Sequence, residues 1–509
     1  MKGKNFRDPF SRQVHEMAKR FDMATIENKV EDIIKLLAEA ESLLDTQDRA
    51  SQAHLYYSMG TVYSDFFKEI ETADTEPQKK CLYFFRKSIE LIENDEYGKD
   101  IYKPYVDAFK AILYTNYGNL LDSCGRKIAA IEQYKKALAI NKDFGMAIGN
   151  LGMAYRHYGM LEFDYIHRDY FHHFAYWLLY NAVESKDPNT YIEAKRYFQQ
   201  AIDGYDQDYI EKVLKTSLDI PKFSYENIDE LAYREWVLEN GLFLNTLNDL
   251  PVSELCFAAD TIHLPNMVVH IGDKPIFHGM FNQIKQEYIF SRYLYYCALL
   301  PQEETHFADK ETYLVNFADY PQYSIRIEQL KAAYKTLYGL FDKMAYFINS
   351  YFELGIKEKD VSFRSIWWKT YGRGKYKYDY QNVLNPDENF ALASLYWISK
   401  DFFEKYEDSP NPSLKRLSDI RNALEHKYVK ITWGIFSERT DGDIDDLALY
   451  VSETEMYDIT LRLLKIIREA ILCLCLCVNI EEQKKKQNVD DINAIIPIQF
   501  MEYDDKWKI

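Results

Sequence analysis

The sequence predicts a mostly α-helical protein of several domains. Its 509 residues include only 19 Gly and 14 Pro, about half the roughly 12% usual for these two residues, so few positions break a helix. Apolar residues make up 47% and aromatic residues 16%, with 43 Tyr and 30 Phe, enough material for sizeable cores. Apolar positions also recur at steps of three and four over long stretches, above all in IEQLKAAYKTLYGLFDKMAYFINSYFEL, the period of a helix with one buried face. The expected order is a solenoid of helical hairpins over 1–205, a small mixed segment over 206–320, a four-helix bundle over 321–482 and a tail over 483–509.

In the first of these regions, residues 114–155 read YTNYGNLLDSCGRKIAAIEQYKKALAINKDFGMAIGNLGMAY. Gly118 recurs as Gly152 with a period of 34, and Ala130, Tyr134 and Ala137 fall between them. Gly and Ala let two antiparallel helices approach, while Tyr and Leu fill the groove between them. An earlier copy has Gly60 and Tyr63, then Cys81, Phe85 and Ser88 at the spacing of Ala130, Tyr134 and Ala137. A later helix repeats the pattern through Ala194, Phe198 and Ala201. This stretch, roughly 45–205, resembles tetratricopeptide (TPR) repeat proteins. The resemblance implies a concave groove that binds a protein or peptide partner.

The middle segment, LPVSELCFAADTIHLPNMVVHIGDKPIFHG, gathers Pro251, Pro265, Gly272-Asp273 and Pro275 around β-favouring VVHI. A short hairpin is expected there, followed by the Tyr-rich helix QEYIFSRYLYYCALL. His263, His270 and His278 read as loop and core histidines and not as metal ligands.

Beyond the long helix that opens the bundle comes SIWWKTYGRGKYKYDYQN, a loop or extended segment. Three more helices follow: ENFALASLYWISKDFFEKY, PSLKRLSDIRNALEHKYVK and ETEMYDITLRLLKIIREAILCLCLCV. Four helices with short connections suggest an antiparallel bundle.

Charge limits the partners. Against 62 Lys and Arg stand 80 Asp and Glu, a net charge of −18, which excludes a surface coated with cations for nucleic acid. Any such contact must be local. Residues 351–435 are the place for it, with 14 basic against 12 acidic residues. There Lys369, Arg373, Lys375 and Lys377 alternate with aromatic rings, a pattern suited to single-stranded RNA. The start of the chain has no apolar signal-like run. Its longest apolar stretch, Ala470–Val478, is too short to span a bilayer. Seven scattered Cys, an odd number, fit a reducing compartment. A cytoplasmic protein without a membrane partner is expected, with Cys473 and Cys477 as buried thiols and no bound metal or cofactor.

The helix PSLKRLSDIRNALEHKYVK carries Leu414, Leu417, Ile420 and Leu424 as its apolar stripe, leaving Arg421, Asn422 and His426 elsewhere on the surface. Asn422 and His426 are four apart and share a side of the helix. Such a set can cleave a phosphodiester without a metal. A neutral imidazole takes the proton from a ribose 2′-hydroxyl, a guanidinium holds the phosphate, and an amide orients the imidazole.

RNALEH, on the third of four helices, matches the Arg-polar-x-x-x-His motif, and roughly residues 320–480 resemble the HEPN superfamily (higher eukaryotes and prokaryotes nucleotide-binding). That resemblance implies a metal-independent endoribonuclease working as a homodimer with a composite site, of the kind found in toxins and anti-phage defence. Arg421, Asn422 and His426 would be its catalytic residues and RNA its substrate. A second Arg-x4-His match, Arg168 to His173, sits in aromatic surroundings without a bundle of its own and reads as a structural helix face. The alternative expectation is a non-catalytic scaffold, or a peptide-sensing regulator, built from repeats and a bundle.

Overall fold

The computed structural model describes residues 6–496 apart from 71–76, 94–96, 216–223, 314–320, 371–375, 381–383, 385–387, 404–411, 434–446, 488–492 and the single positions 98, 253, 271, 273 and 303. The chain is mostly helical, as its composition predicts. It forms two compact units. The first comprises residues 1–160, 165–219 and 397–419, and the second 161–164, 220–396 and 420–509.

The first unit contains α1 (Arg12–Ile26), α2 (Val30–Leu43), α3 (Arg49–Ile70), α4 (Pro77–Ile92), α5 (Lys103–Ser123), α6 (Lys127–Ile140), α7 (Gly145–Leu161), α8 (Tyr165–Val183), α9 (Ile192–Asp203) and α10 (Gln207–Lys215). Consecutive helices pack pairwise, α3 on α4, α5 on α6 and α8 on α9. The glycine of the 34-residue pattern sits where two helices touch: a methyl group on Gly118 would lie 2.5 Å from the Tyr134 ring across the α5–α6 seam. Ala130, Tyr134 and Ala137 are buried, and so are Cys81, Phe85 and Ser88 of the earlier copy. The Ser88 hydroxyl donates to the Ala53 carbonyl at 2.7 Å, so a polar residue is accommodated at this small-residue position.

The second unit holds α11 (Ile228–Glu239), β1 (Met267–His270), α12 (Ile276–Leu299), α13 (Ile325–Tyr351), β2 (Trp368–Thr370) and β3 (Tyr376–Tyr380). The first half of α14 (Phe390–Phe403) and the end of α15 (Pro412–His426) belong to it as well. It is completed by β4 (Tyr428–Thr432), β5 (Ala448–Ser452), α16 (Glu453–Lys486) and β6 (Asn493–Ile496). Its core lies where α12, α13 and α16 pack on one another. All of Ala470–Val478 is buried there, and the Cys473 thiol donates to Ser394 Oγ at 3.2 Å. Two buried arginines fix the loop before β1 to these helices. Arg292 of α12 grips Asp260 through two hydrogen bonds of 2.9 and 2.7 Å. Arg468 of α16 grips Asp249 at 2.8 and 3.2 Å while donating to the carbonyls of Phe243 and Asn245. Such fully hydrogen-bonded burial is what makes a buried guanidinium tolerable.

The strands depart from the sequence reading. Among the described residues the VVH stretch joins no local hairpin: β1 pairs antiparallel with β6, Met267 opposite Ile496, because an isolated four-residue strand needs a partner and the tail supplies one. The WKT and YKYDY stretches form the antiparallel β2–β3 pair. Directly after α15, β4 runs parallel to β5, Tyr428 opposite Ala448 and Thr432 opposite Ser452. The helical segment PSLKRLSDIRNALEHKYVK thus ends at His426, and its last residues, Tyr428 to Lys430, open the strand YVKIT. It is rich in β-branched residues, and Lys430, Ile431 and Thr432 are all buried.

Candidate functional site

α15 begins at Pro412, whose fixed φ suits the first turn of a helix. Leu417, Ile420 and Ala423 are buried on its inner side. Leu424 is half-buried, and the side chain of Leu414 lies outside the described residues. The remaining sides carry Arg421, Asn422, Glu425 and His426, and the helix ends on His426.

Arg421 is half-buried and held from two directions. Its Nη1 donates to Asn422 Oδ1 at 3.0 Å, and its guanidinium lies over the Tyr338 ring of α13, 5.5 Å from the centroid. Tyr338 is itself buried, so the ring is a fixed support, and a cation over a ring face is worth about 0.5–2 kcal/mol. Glu425, one turn beyond Arg421, pairs with Lys335 of α13 at 3.7 Å. The structure therefore attaches Asn422 to the guanidinium and not to the imidazole, while His426 is exposed at the helix end. Arg421, Asn422 and His426 lie on one stretch of α15, with α13 supplying Tyr338 and Lys335 beside it.

Just beyond the helix, Tyr428 is exposed, its hydroxyl 3.4 Å from that of exposed Tyr323, and Trp433 is exposed as well. Exposed rings next to cations are stacking platforms for unpaired bases. Of the basic residues read as RNA contacts, Lys369 lies on β2 and Lys377 on β3, whereas Arg373 and Lys375 fall outside the described residues.

Sequence reasoning did not select Lys335, Tyr338, Tyr428 or Trp433. The signal present was the three-residue step from Lys335 to Tyr338, which puts a cation and a ring on adjoining turns of α13. Only the fold brings that pair to α15.

The second motif copy lies on α8. His172 is buried, its Nδ1 3.2 Å from the Tyr205 hydroxyl, and burial, reinforced by nearby Arg156 and Arg168, pulls its pKa down to about 4. His173 Nδ1 is buried without a hydrogen-bond partner, and burial also lowers this imidazole's pKa. Asp169 accepts from the Tyr209 hydroxyl at 2.7 Å. These contacts make the α8 copy a packed face. Among the described residues no group of three or more His, Cys, Asp or Glu is gathered to hold a metal ion, and no helix is long and apolar enough to cross a membrane.

No curated protein and no solved structure matches the chain significantly. Residues 268–481, less than half of the chain but including α12 through α15 and most of α16, match the family of LA2681-like HEPN domains, which supports a C-terminal HEPN domain.

Proposed function

We propose that the chain is a metal-independent endoribonuclease effector whose HEPN-type domain cleaves RNA and whose TPR-like N-terminal region senses or adapts to a protein or peptide partner. The observation that carries this reading is the Arg421–Asn422–His426 set on one stretch of α15 within the matched region. His426 takes the proton of a ribose 2′-hydroxyl. The resulting oxygen attacks the adjacent phosphorus, and the bond to the 5′ oxygen breaks as that oxygen takes a proton from an imidazolium acting as general acid or from water, leaving a 2′,3′-cyclic phosphate and a 5′-hydroxyl. Arg421 binds the phosphate and offsets the charge that builds on its oxygens. Asn422 holds Arg421 in place, a different role from orienting the imidazole. A homodimer through the HEPN-type domain would bring two such sets together. A cytoplasmic role in bacterial toxin or anti-phage defence suits this chemistry.

The test is cleavage of mixed cellular RNA by the purified full chain in EDTA. Cleavage is expected from the wild type, and a loss of about 10²–10⁴-fold from His426→Ala and Arg421→Ala. Cleavage that survives both substitutions would remove the site assignment and turn attention to His173. A phenotype in cells that survives His426→Ala would favour a non-catalytic scaffold.

A further inference from the structure

Within the first compact unit, Asp401 of α14 sits between two arginines of the N-terminal helices. Arg86 of α4 meets it through two hydrogen bonds of 2.6 and 2.9 Å, and Arg126, the residue before α6, adds a third of 2.7 Å. The Arg86 Nε donates to the Tyr117 hydroxyl of α5 at 2.7 Å. The three charged side chains are at most 9% exposed. Asp401 thus ties α14 to α4 and to the start of α6 through two guanidiniums, a donor pair matched to an acidic group.

Around this contact Trp397 to Phe402 of α14 are all buried. A buried ion pair seldom stabilises more than apolar packing would, and its best-attested use is to fix one docking arrangement or to form a switch. Residues 397–419 cluster with the N-terminal helices although they lie inside the matched HEPN stretch, and Arg421 follows two residues later. We infer that Arg86 and Arg126 form a carboxylate receptor on the N-terminal helices, occupied in cis by Asp401, through which those helices restrain the α14–α15 segment that carries Arg421 and His426. The effect on cleavage rests on the nuclease reading above, while the docking of the segment does not.

Hydrogen exchange on the full-length protein tests the restraint. Asp401→Asn is expected to speed amide exchange within 397–426 at least tenfold and leave α6 and α7 unchanged. Arg86→Lys, which keeps the charge but loses the two-pronged grip, should give a smaller rise in the same segment, and carries the test if Asp401→Asn does not fold. RNA cleavage by Asp401→Asn should rise at least fivefold and vanish when His426→Ala is added. Exchange that stays unchanged, or rises equally in α6 and α7, would overturn the inference, as would local loosening with cleavage fixed at the wild-type rate. Local loosening with no cleavage by any protein supports the docking and removes the nuclease reading instead.

Discussion

Arg421 is a guanidinium with a built support, and this sets what each neighbour contributes. Tyr338 lies under it and Asn422 accepts from it, so both act by positioning. Replacing Tyr338 by Leu is expected to lower kcat/KM for RNA about tenfold, within the range of a cation–ring contact. Tyr338→Phe, which keeps the ring, should restore most of that. Asn422→Ala should cost about three- to tenfold, through loss of one solvent-exposed hydrogen bond worth about 0.5–1.5 kcal/mol. A Tyr338→Phe enzyme as impaired as Tyr338→Leu would show that the hydroxyl matters and not the ring face. An Asn422→Ala loss as deep as that of His426→Ala would return Asn422 to the imidazole. The motif was legible in the sequence because its members lie within six residues of one helix, where spacing alone fixes neighbourhood. Lys335 and Tyr338 were not, because they reach α15 only through packing of a helix far upstream.

At the scale of helices and strands, legibility follows the reach of the interaction. The α5–α6 pair could be read because Gly118 and Tyr134 mark both sides of a close seam in adjacent helices. Placing a methyl group 2.5 Å from the Tyr134 ring should outweigh the helix propensity that normally favours Ala over Gly by about 1 kcal/mol. Gly118→Ala is therefore expected to destabilise the protein by about 1–3 kcal/mol in urea unfolding, with much of the loss absent when Tyr134 is already Val. Additive losses in the double variant would mean that the seam relaxes elsewhere. The strands could not be read in the same way. β1 finds its partner in β6 at the other end of the unit's sequence, and β4 with β5 is a parallel pair, which no turn signal announces. Local pattern gives a strand its propensity, but only long-range pairing gives it a place.

Over the whole molecule, the scarcity of helix breakers and the three- and four-residue apolar steps anticipated a mostly helical chain, but the exchange of segments between units was not visible in composition. Residues 161–164 belong to the second unit although α7 and α8 flank them, and 397–419 belong to the first. The two units also carry opposite responses to pH. In the first, burial lowers the pKa of His54 and of His172 to about 4. Beside His54, His15 adds to the effect and Asp8 opposes it. Beside His172, Arg156 and Arg168 add to it and Asp169 opposes it. Both imidazoles stay neutral in the fold while the unfolded chain takes up protons below its ordinary value of 6.5, so their contribution is full above pH 6.5 and is lost as pH falls toward 4. In the second unit, burial raises the pKa of Glu162 to about 7, and its Oε2 has no hydrogen-bond partner. The folded state keeps this carboxyl protonated while the unfolded chain ionises it above 4.5, so its contribution is full below pH 4.5 and is lost as pH rises to 7. At about 1.4 kcal/mol per pKa unit, each of these groups is worth at most about 3–4 kcal/mol. Glu162→Gln is thus expected to raise the unfolding temperature at pH 8 and leave it unchanged at pH 4.5. His172→Gln should instead flatten the loss of stability between pH 6.5 and 4. Thermal unfolding followed across pH 4–8 checks both, and a Glu162→Gln gain of equal size at pH 4.5 and pH 8 would show that packing, not ionisation, is what that carboxyl disturbs.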